Sequence, residues 1–287
     1  MSVETWIEPC AGMAAVAMRL CGLDPIIPWM GGKRAYAPAI MAGLGLSVRT
    51  RPRRLVLADA GPAGAFWAAL LGPDGERVVA EIEALAAGIT SEPEARSFWH
   101  ANAKRPEVVS GEAAATWVLC AGLSFRAGDV TSGYIGASRD VDRSTVVGRA
   151  ARAARAARAA LGGLRSGDTY RDASAIPVSV TDRTVVYLDP PYRGTKGYQA
   201  DLSREVVVDL AQRWHAAGAT VLVSEREPAV PGWRAVRIRA TGARVTEDSW
   251  EYLTLSPGTE WQAAEPLDLW PGMDRAPRGA SFAGGVR

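Results

Sequence analysis

Apolar and polar positions along the chain change repeatedly between two periods, and this change predicts strands separated by helices. Short apolar runs typical of buried strands occupy positions 5–7, 55–58, 185–188 and 220–224. Helical patterns occupy positions 13–20, 75–88, 92–102, 111–123, 144–161 and 204–216. Two alternating runs, 233–240 and 252–256, read as further strands. Because strands alternate with helices, we predict an α/β fold with a mostly parallel sheet, whose ligands bind beyond the carboxyl ends of the strands.

The pattern also divides the chain into segments. Residues 76–164 interrupt the alternation with helices and with a Gly/Ser-rich loop that is too long for a simple connection. We therefore predict one domain made of residues 1–75 and 165–265, with 76–164 as a mostly helical and loop insertion. Residues 266–287 are rich in proline and glycine and are predicted to be a flexible tail.

Composition narrows the class of protein. The chain has 287 residues, 48% of them hydrophobic, which suits a soluble α/β domain with an insertion. Its net charge of +2 does not by itself indicate a polyanionic partner. No apolar run approaches the roughly 18 residues of a membrane span, and no basic-then-apolar leader opens the chain. We expect neither a membrane segment nor a signal peptide, and hence a cytoplasmic protein.

Cysteine and histidine are scarce. Cys10, Cys21 and Cys120 are odd in number and widely spaced, which favours reduced thiols over a disulfide framework or a zinc site. The two histidines, His100 and His215, are too few for most metal sites. We therefore expect no metal.

An acidic residue ends or follows three of the predicted strands: Glu8, Asp59 and Asp189. Because the carboxyl ends of parallel strands meet at one edge of a sheet, these acids are expected to lie near one another. Small residues after Glu8 would let a ligand approach the backbone N–H groups of the following helix. An acid in the position of Asp59 commonly binds ribose hydroxyls of an adenosine. Each turn alone is also compatible with an ordinary tight connection capped by an acid.

A Gly-Gly-Lys segment at Gly31–Lys33 raises the question of a phosphate-binding P-loop. That motif needs a glycine at its first position and Ser or Thr after the lysine. Ile27 and Arg34 occupy those positions here. A nucleoside triphosphatase of the P-loop class is therefore not favoured.

The stretch from Asp189 to Tyr192 reads D-P-P-Y directly after an apolar run. Two consecutive prolines remove two backbone donors and restrict φ, so neither a helix nor a central strand continues through them. The chain must leave the sheet in a stiff turn, which fixes one carboxylate, the neighbouring carbonyl groups and one aromatic ring relative to each other. Such a turn is suited to holding a planar, polar ligand.

With these motifs the chain resembles the Dam-like (D12 class) DNA adenine-N6 methyltransferases. That family has a D-P-P-Y turn, an E-P-F-x-G-x-G-A-like turn and a W-x-G-G-K segment, matched here by Asp189–Tyr192, Glu8–Ala15 and Trp29–Lys33. The resemblance implies a Rossmann-like sheet that binds S-adenosyl-L-methionine (SAM), with the insertion 76–164 recognising double-stranded DNA.

The match departs from the family pattern in four respects. Cys10 stands where the family prefers Phe, and Ala14 stands where it prefers Gly. The acidic strand end A-D-x-N of the family has Gly61 in place of its Asn. The G-G-K segment follows the E-P-F-like turn instead of preceding it. We interpret this order as a local permutation that keeps both segments beside the cofactor.

The resemblance implies roles for individual residues. The catalytic clamp would consist of Asp189, Pro190, Pro191 and Tyr192, with the carboxylate and the Pro190 carbonyl accepting the two hydrogens of adenine N6. Tyr192 would stack on the base after it is flipped out of the duplex. Stabilising the charge that develops on N6 would accelerate transfer of the methyl group. The implied cofactor-binding residues are Glu8, Pro9, Gly12, Trp29, Gly31, Gly32, Lys33 and Asp59.

Candidates for contact with the base or with DNA lie in three places. Lys196 and Tyr198, just past the clamp, would close over base or cofactor. The long loop and its flanks offer Ser124, Phe125, Arg126, Tyr134 and Arg139. The arginine-rich helix offers Arg152 and Arg155, and a solvated helix face is its structural alternative.

These expectations combine into one prediction of function: a SAM-dependent enzyme of the bacterial cytoplasm, or of a phage in a bacterial host, that methylates adenine N6 in DNA. Two alternatives remain open at this point. Cytosine N4 is methylated with a clamp of the same kind, and a relative of the fold that has lost turnover would bind DNA or a nucleotide without catalysis.

Overall fold

In the computed structural model, seven strands form one mixed sheet. The strands are β1 Thr5–Glu8, β2 Arg54–Ala58, β3 Asp168–Tyr170, β4 Thr184–Leu188, β5 Thr220–Glu225, β6 Arg234–Arg239 and β7 Trp250–Leu255. Their order is β3-β2-β1-β4-β5-β7-β6, with β3 to β5 parallel and β7 antiparallel to both of its neighbours. This arrangement confirms the predicted α/β class and is consistent with a Rossmann-like fold. The structure describes residues 2–28, 32–48, 50–103, 111–124, 133–135, 142–162, 168–170, 172–177, 180–192, 202–240 and 250–262.

Eight helices are present in this part of the chain, and most follow the predicted bounds. They are α1 Ala15–Leu20, α2 Ala37–Gly43, α3 Pro62–Leu71, α4 Gly75–Ala87, α5 Glu92–Asn102, α6 Gly111–Leu123, α7 Ser144–Leu161 and α8 Arg204–Ala216. Short 3₁₀ turns occur at Lys33–Ala35 and Ala173–Ala175. The α5 helix begins with a capping box between Ser91 and Glu94, and Ser203 caps α8, which explains why both starts are readable in the sequence.

Both faces of the sheet are buried, so its central strands are apolar on both sides. Adjacent residues of β1 point to opposite faces: Trp6 packs with α1 to α7, and Ile7 packs with α8. In β4, Tyr187 lies on the same face as Trp6, and Val186 lies on the same face as Ile7. Parallel strands covered on two faces read as continuous apolar runs rather than as alternating ones. This burial is the physical origin of the runs at 55–58, 185–188 and 220–224.

Helices α4 to α7 share a hydrophobic core with one face of the sheet. Buried side chains such as Val78 of α4, Val118 of α6 and Ala154 of α7 belong to the same cluster as Leu55 and Leu57 of β2. Alanines on one side of α7 allow its close approach to α4. Residues 76–164 therefore include helices that are packed onto the sheet, and their role in target recognition stays a prediction.

The order of the strands locates the edge at which a ligand is expected. The chain runs outward from β1 to β2 and β3 in one direction and from β4 to β5 in the other. The reversal between β1 and β4 opens a crevice at the carboxyl ends of these strands. Glu8 ends β1 and Asp189 follows β4, so both acids flank this crevice.

Within the described residues, none of the helices has the length and apolar character needed to cross a membrane. The three cysteines are free thiols, with Cys21 and Cys120 buried and Cys10 half-buried. The described residues also contain no cluster of His, Cys, Asp and Glu with the geometry of a metal site.

Candidate functional site

A cleft that is open to solvent, with room of about 150 Å³ for the centres of water-sized spheres, lies at the carboxyl ends of β1 and β4. Its polar lining comes from two acidic and two basic side chains, together with two weakly polar ones: Glu8, Asp189, Lys33, Arg34, Cys10 and Tyr187. Small and apolar residues of the β1–α1 turn and of the segment before Lys33 complete the wall. The cleft thus brings together two of the three strand-end acids and the lysine of the G-G-K segment.

Lys33 is the centre of a buried charge cluster. Its Nζ lies 2.6 Å from Asp189 Oδ1 and 3.3 Å from Glu251 Oε1. Lys33 and Glu251 are each only 4% exposed at the side chain, whereas Asp189 is 18% exposed. The 3₁₀ turn that begins at Lys33 directs its side chain into the cleft, although 156 positions separate it from Asp189 (189 − 33). One ammonium therefore holds two carboxyl groups from β4 and β7 together.

The ring of Tyr192 forms one wall around this ammonium. Lys33 Nζ lies 4.5 Å from the ring centroid, within the range of a cation–π contact. The guanidinium of Arg226 lies 5.9 Å from the same centroid. The Tyr192 hydroxyl is buried, and no group in the described residues forms a hydrogen bond with it. Pro190 is buried and Pro191 half-buried, so the turn is well supported between the carboxylate and the ring.

Burial and charge act in opposite directions on the pKa values of the cluster. Burial disfavours the Lys33 ammonium, but the carboxylates of Asp189 and Glu251 outweigh it and raise the pKa of Lys33. Burial raises the pKa of Asp189 against the opposing effect of Lys33. Burial also raises the pKa of Glu251 to about 8, with Lys33 again opposing. We assign the negative charge that balances Lys33 near neutral pH to Asp189, which has the shorter contact and the greater exposure to water.

Glu8 is held differently, because its partners belong to the fold. It is 3% exposed, and its Oε1 accepts hydrogen bonds from Trp6 Nε1 at 2.8 Å and from the backbone N–H of Ala17 at 2.7 Å. Burial raises its pKa to about 8 despite these two donors. A raised pKa favours the protonated form of Glu8 near neutral pH, and its two hydrogen bonds tie β1 to the first turn of α1.

Asp59 also serves the backbone. Its Oδ2 accepts from the N–H of Gly12 at 2.9 Å, and its Oδ1 accepts from the N–H of Gly61 at 2.8 Å. Trp67 Nε1 donates to the Gly12 carbonyl at 2.8 Å, which secures the same turn from α3. Asp59 thus joins the turns after β1 and β2. Its predicted contact with ribose hydroxyls stays a prediction.

The turn after β1 has an unusual backbone. Gly12 has φ 46°, and Ala14 has φ 49° with ψ 45° in the left-handed region. Ala14 has the only positive φ at a non-glycine residue in the described part of the chain. A side chain in this conformation costs roughly 1–2 kcal/mol, which explains why a motif of this kind would prefer glycine there. Pro9 is buried in the same turn.

Gly32 lines the cleft directly before the 3₁₀ turn. Seven other predicted site residues lie outside the described residues: Trp29, Gly31, Phe125, Arg126, Arg139, Lys196 and Tyr198.

The remaining DNA candidates have partners within the fold. Ser124 Oγ accepts from Trp99 Nε1 at 2.8 Å and donates to the Cys120 carbonyl at 2.7 Å. The Tyr134 hydroxyl donates to Glu92 Oε1 at 2.6 Å.

On α7, Arg155 forms ion pairs with Glu76 at 3.0 Å and Glu83 at 2.6 Å, both on α4, while Arg152 is exposed. These contacts give Ser124, Tyr134 and Arg155 structural roles, and contact with DNA stays a prediction for them and for Arg152.

Reasoning from the sequence missed Glu251. The alternating pattern predicts a strand over 252–256, but β7 begins two residues earlier, at Trp250, and so includes Glu251. The available signal is an acid next to apolar and aromatic residues in the segment W-E-Y-L-T-L. Only the order of strands shows that this acid reaches Lys33.

Comparisons with family models and with curated proteins found no match for this chain.

Proposed function

We propose that this protein is a SAM-dependent methyltransferase that acts on the exocyclic N6 amine of adenine in DNA. One observation carries the proposal: the ammonium of Lys33 lies 2.6 Å from Asp189 and 4.5 Å from the centroid of Tyr192. An ammonium nitrogen is a stand-in for an amine, since both present N–H donors to a carboxylate. The D-P-P-Y turn thus holds a nitrogen donor between an acceptor and an aromatic face, as the resemblance implies for the target base.

The clamp residues have distinct tasks in this proposal. The Asp189 carboxylate accepts one N6 hydrogen and the Pro190 carbonyl accepts the other, which draws the nitrogen lone pair out of the ring system. The positive charge that develops on N6 during the reaction is then stabilised by Asp189. The two prolines keep these acceptors in fixed positions, so that little reorganisation is needed as the bond forms. Tyr192 offers the face on which a flipped base stacks.

The cleft at the carboxyl ends of β1 and β4 is the space that we assign to SAM, because ligands of open α/β sheets bind at this position. It adjoins Asp189 and the β1–α1 turn, whose small residues would let a ligand approach the backbone. SAM, when bound, supplies a methyl group on a sulfonium. Glu8, Gly32 and Lys33 are the predicted cofactor residues that line this space.

The buried cluster gives Lys33 a second partner. An amine that binds Asp189 must displace the ammonium from its 2.6 Å contact. Glu251 lies 3.3 Å from the same Nζ and keeps a carboxyl partner for it. An uncompensated buried ammonium would be costly. Glu251 therefore allows the amine to replace Lys33 at Asp189 without leaving Lys33 unpaired. As Lys33 pairs with Glu251, the Glu251 carboxyl group releases its proton to solvent.

Transfer of labelled methyl groups tests the proposal. The protein is incubated with methyl-labelled SAM and unmethylated DNA, and the DNA is digested so that the labelled nucleoside can be identified. We expect label in N6-methyldeoxyadenosine. Label in N4-methyldeoxycytidine would replace adenine by cytosine as the target. Binding of SAM without any labelled nucleoside would overturn the enzymatic proposal.

A further inference from the structure

One face of the antiparallel β6–β7 pair carries two arginines opposite two aromatic residues. Arg237 is paired with Tyr252, and Arg239 with Trp250, in the antiparallel register. Their neighbours Ile238 and Glu251 are buried on the opposite face of the sheet. Because side chains alternate along a strand, all four residues share one face. We refer to Arg237, Arg239, Trp250 and Tyr252 as the Arg–aromatic ladder.

The ladder is held together by stacking. The Arg237 guanidinium lies 4.7 Å from the Trp250 ring centroid and 5.8 Å from that of Tyr252, and the Arg239 guanidinium lies 5.7 Å from Trp250. A guanidinium that lies over a ring uses its flat face, and the N–H donors in its plane remain suited to bidentate contact with phosphate. Trp250 is nevertheless 40% exposed, which is unusual for a tryptophan. The ladder therefore offers both donors and an aromatic surface.

Within the described residues, neither Arg237 nor Arg239 forms an ion pair, whereas Arg155, Arg183 and Arg204 each contact a glutamate. Two neighbouring arginines that form no ion pair with the described residues place two cationic groups on a face that also holds one acidic residue, Glu225. Such a surface is complementary to a polyanion.

The ladder lies at the same edge of the sheet as the clamp. Since β7 is antiparallel to β5, Trp250 at its start and Arg239 at the end of β6 lie at the edge where β4 and β5 end. Glu225, the last residue of β5, is paired with Tyr252. The next residue, Arg226, is exposed and lies 5.9 Å from the Tyr192 ring. The end of β5 therefore lies beside Tyr252 of the ladder through Glu225 and beside Tyr192 of the clamp through Arg226.

We propose that the Arg–aromatic ladder binds the DNA strand adjacent to the clamp, with phosphates on Arg237 and Arg239 and an unpaired base on Trp250. The choice of DNA and the position of the strand rest on the proposed function. Interleaved arginine and aromatic side chains are suited to a single strand, whose phosphates and base faces are both accessible. An acidic peptide would use the arginines but would leave the exposed face of Trp250 without a partner.

Binding of fluorescently labelled DNA, measured by anisotropy without SAM over a series of salt concentrations, tests the ladder. In the double variant Arg237→Gln/Arg239→Gln, we expect weaker binding to single-stranded DNA and a smaller salt dependence. The log–log slope should fall by about 0.7 for each phosphate that is no longer neutralised, hence by about 1.4 for both. Trp250→Ala should weaken binding of single-stranded DNA by about 5- to 150-fold, the range of base–aromatic stacking, and should affect duplex less.

Matched variants separate the ladder from charge in general. Arg51→Gln/Arg53→Gln removes the same number of charges from exposed positions just before β2, at the opposite edge of the sheet, and should leave the slope close to that of the wild type. Arg237→Lys/Arg239→Lys keeps the charges and should keep most of the slope. Thermal unfolding of each variant shows that it is folded, which is expected because the ladder is exposed. A ladder variant with wild-type affinity and slope would overturn the proposal, as would equal displacement of DNA by polyglutamate and by unlabelled DNA.

The outcome also separates this inference from the proposed function. DNA binding that depends on the ladder, in a protein that transfers no methyl group, would sustain the ladder and end the enzymatic proposal. Methyl transfer by a protein whose ladder variants bind DNA normally would sustain the enzymatic proposal and overturn the ladder.

Discussion

Asp59 and Asp189 both follow a parallel strand, yet the fold uses their carboxylates in opposite ways. Asp59 accepts two backbone N–H groups, from Gly12 and Gly61, that belong to the turns around it. Asp189 contacts the ammonium of Lys33, a side chain from a distant segment. Backbone donors cannot leave without unfolding the turn, whereas an ammonium on a flexible stem can. Asp189 thus has a partner that a ligand can replace while the fold stays intact, and the two backbone N–H partners of Asp59 are not of this kind.

This difference explains how one sequence pattern, an acid at a strand end, serves both stability and chemistry. A carboxylate that is saturated by the backbone is a structural element, and its loss should appear mainly in the free energy of unfolding. A carboxylate held by an exchangeable cation should appear mainly in ligand binding and turnover. Substitutions at the strand-end acids and in the turn that they support test this division.

The largest effect is expected at Asp189. Asp189→Ala should reduce methyl transfer by about 10²-fold or more, because it removes an acceptor whose main use is in the transition state. Binding of SAM, measured by calorimetry, should change little. Asp189→Asn keeps the shape and an acceptor oxygen, so near-wild-type turnover in this variant would show that geometry rather than charge activates the amine. Near-wild-type turnover in Asp189→Ala would refute the clamp.

Replacing Glu8 should change how the free energy of unfolding depends on pH. Burial raises its pKa from 4.5 to about 8, so between these values the folded chain holds a proton that the unfolded chain has released. This contribution is complete below the unfolded pKa and is lost as pH rises through the folded pKa, at about 1.4 kcal/mol per pH unit. Glu8→Gln mimics the protonated acid and should lack this loss. Urea unfolding at several pH values from about 6 to 8 measures it.

The prediction concerns the difference between the stability curves of the wild type and Glu8→Gln. Glu251 is present in both proteins, so its titration contributes equally to both curves and does not affect this difference. Glu227→Gln, a change in an exposed ion pair with Arg204, serves as a control that should run parallel to the wild type. A Glu8→Gln curve that is also parallel would show that Glu8 is ionised in the folded protein.

Asp59→Ala should destabilise the fold more than Asp189→Ala does. It leaves the N–H groups of Gly12 and Gly61 without their acceptor, at a cost of about 1–3 kcal/mol in urea unfolding. Asp59→Asn retains one acceptor oxygen and should recover part of this loss. Calorimetry with SAM on the same variants separates the two roles: reduced affinity in Asp59→Asn at nearly unchanged stability would identify a ligand contact in addition to the structural one.

The smallest effect concerns the turn that Asp59 supports. Ala14→Gly relieves the left-handed backbone but loses a buried methyl group and adds freedom to the unfolded chain, so stability should stay within about 1 kcal/mol of the wild type. Ala17→Gly, at a buried helical position of α1, has the same losses without the relief. The two variants should therefore differ by about 1–2 kcal/mol. Equal losses would mean that Ala14 carries no backbone strain.

Local patterns in the sequence are sufficient for much of the fold. The bounds of α5, α6, α7 and α8 agree with the predicted ones, because periodicity and capping act within a few residues. The D-P-P-Y turn is readable for the same reason, since proline restricts its own φ and that of its neighbour. The expectation that strand-end acids meet at one edge is confirmed for Glu8 and Asp189, which line one cleft.

The partners of these groups were decided by the tertiary structure alone. Whether an acid faces the backbone, as Asp59 does, or an ammonium, as Asp189 does, depends on which turn the fold brings against it. Glu251 reaches Lys33 because β7 lies beside β5, and the pairing of β6 with β7 brings Arg237 to Trp250 at the same edge of the sheet as the clamp. Periodicity specifies that a segment is a strand and which of its faces is apolar, but it does not specify the neighbours of that strand. The sequence by itself determined the elements and the stiff turn, and the order of strands decided which charges meet, because those contacts join residues far apart in the chain.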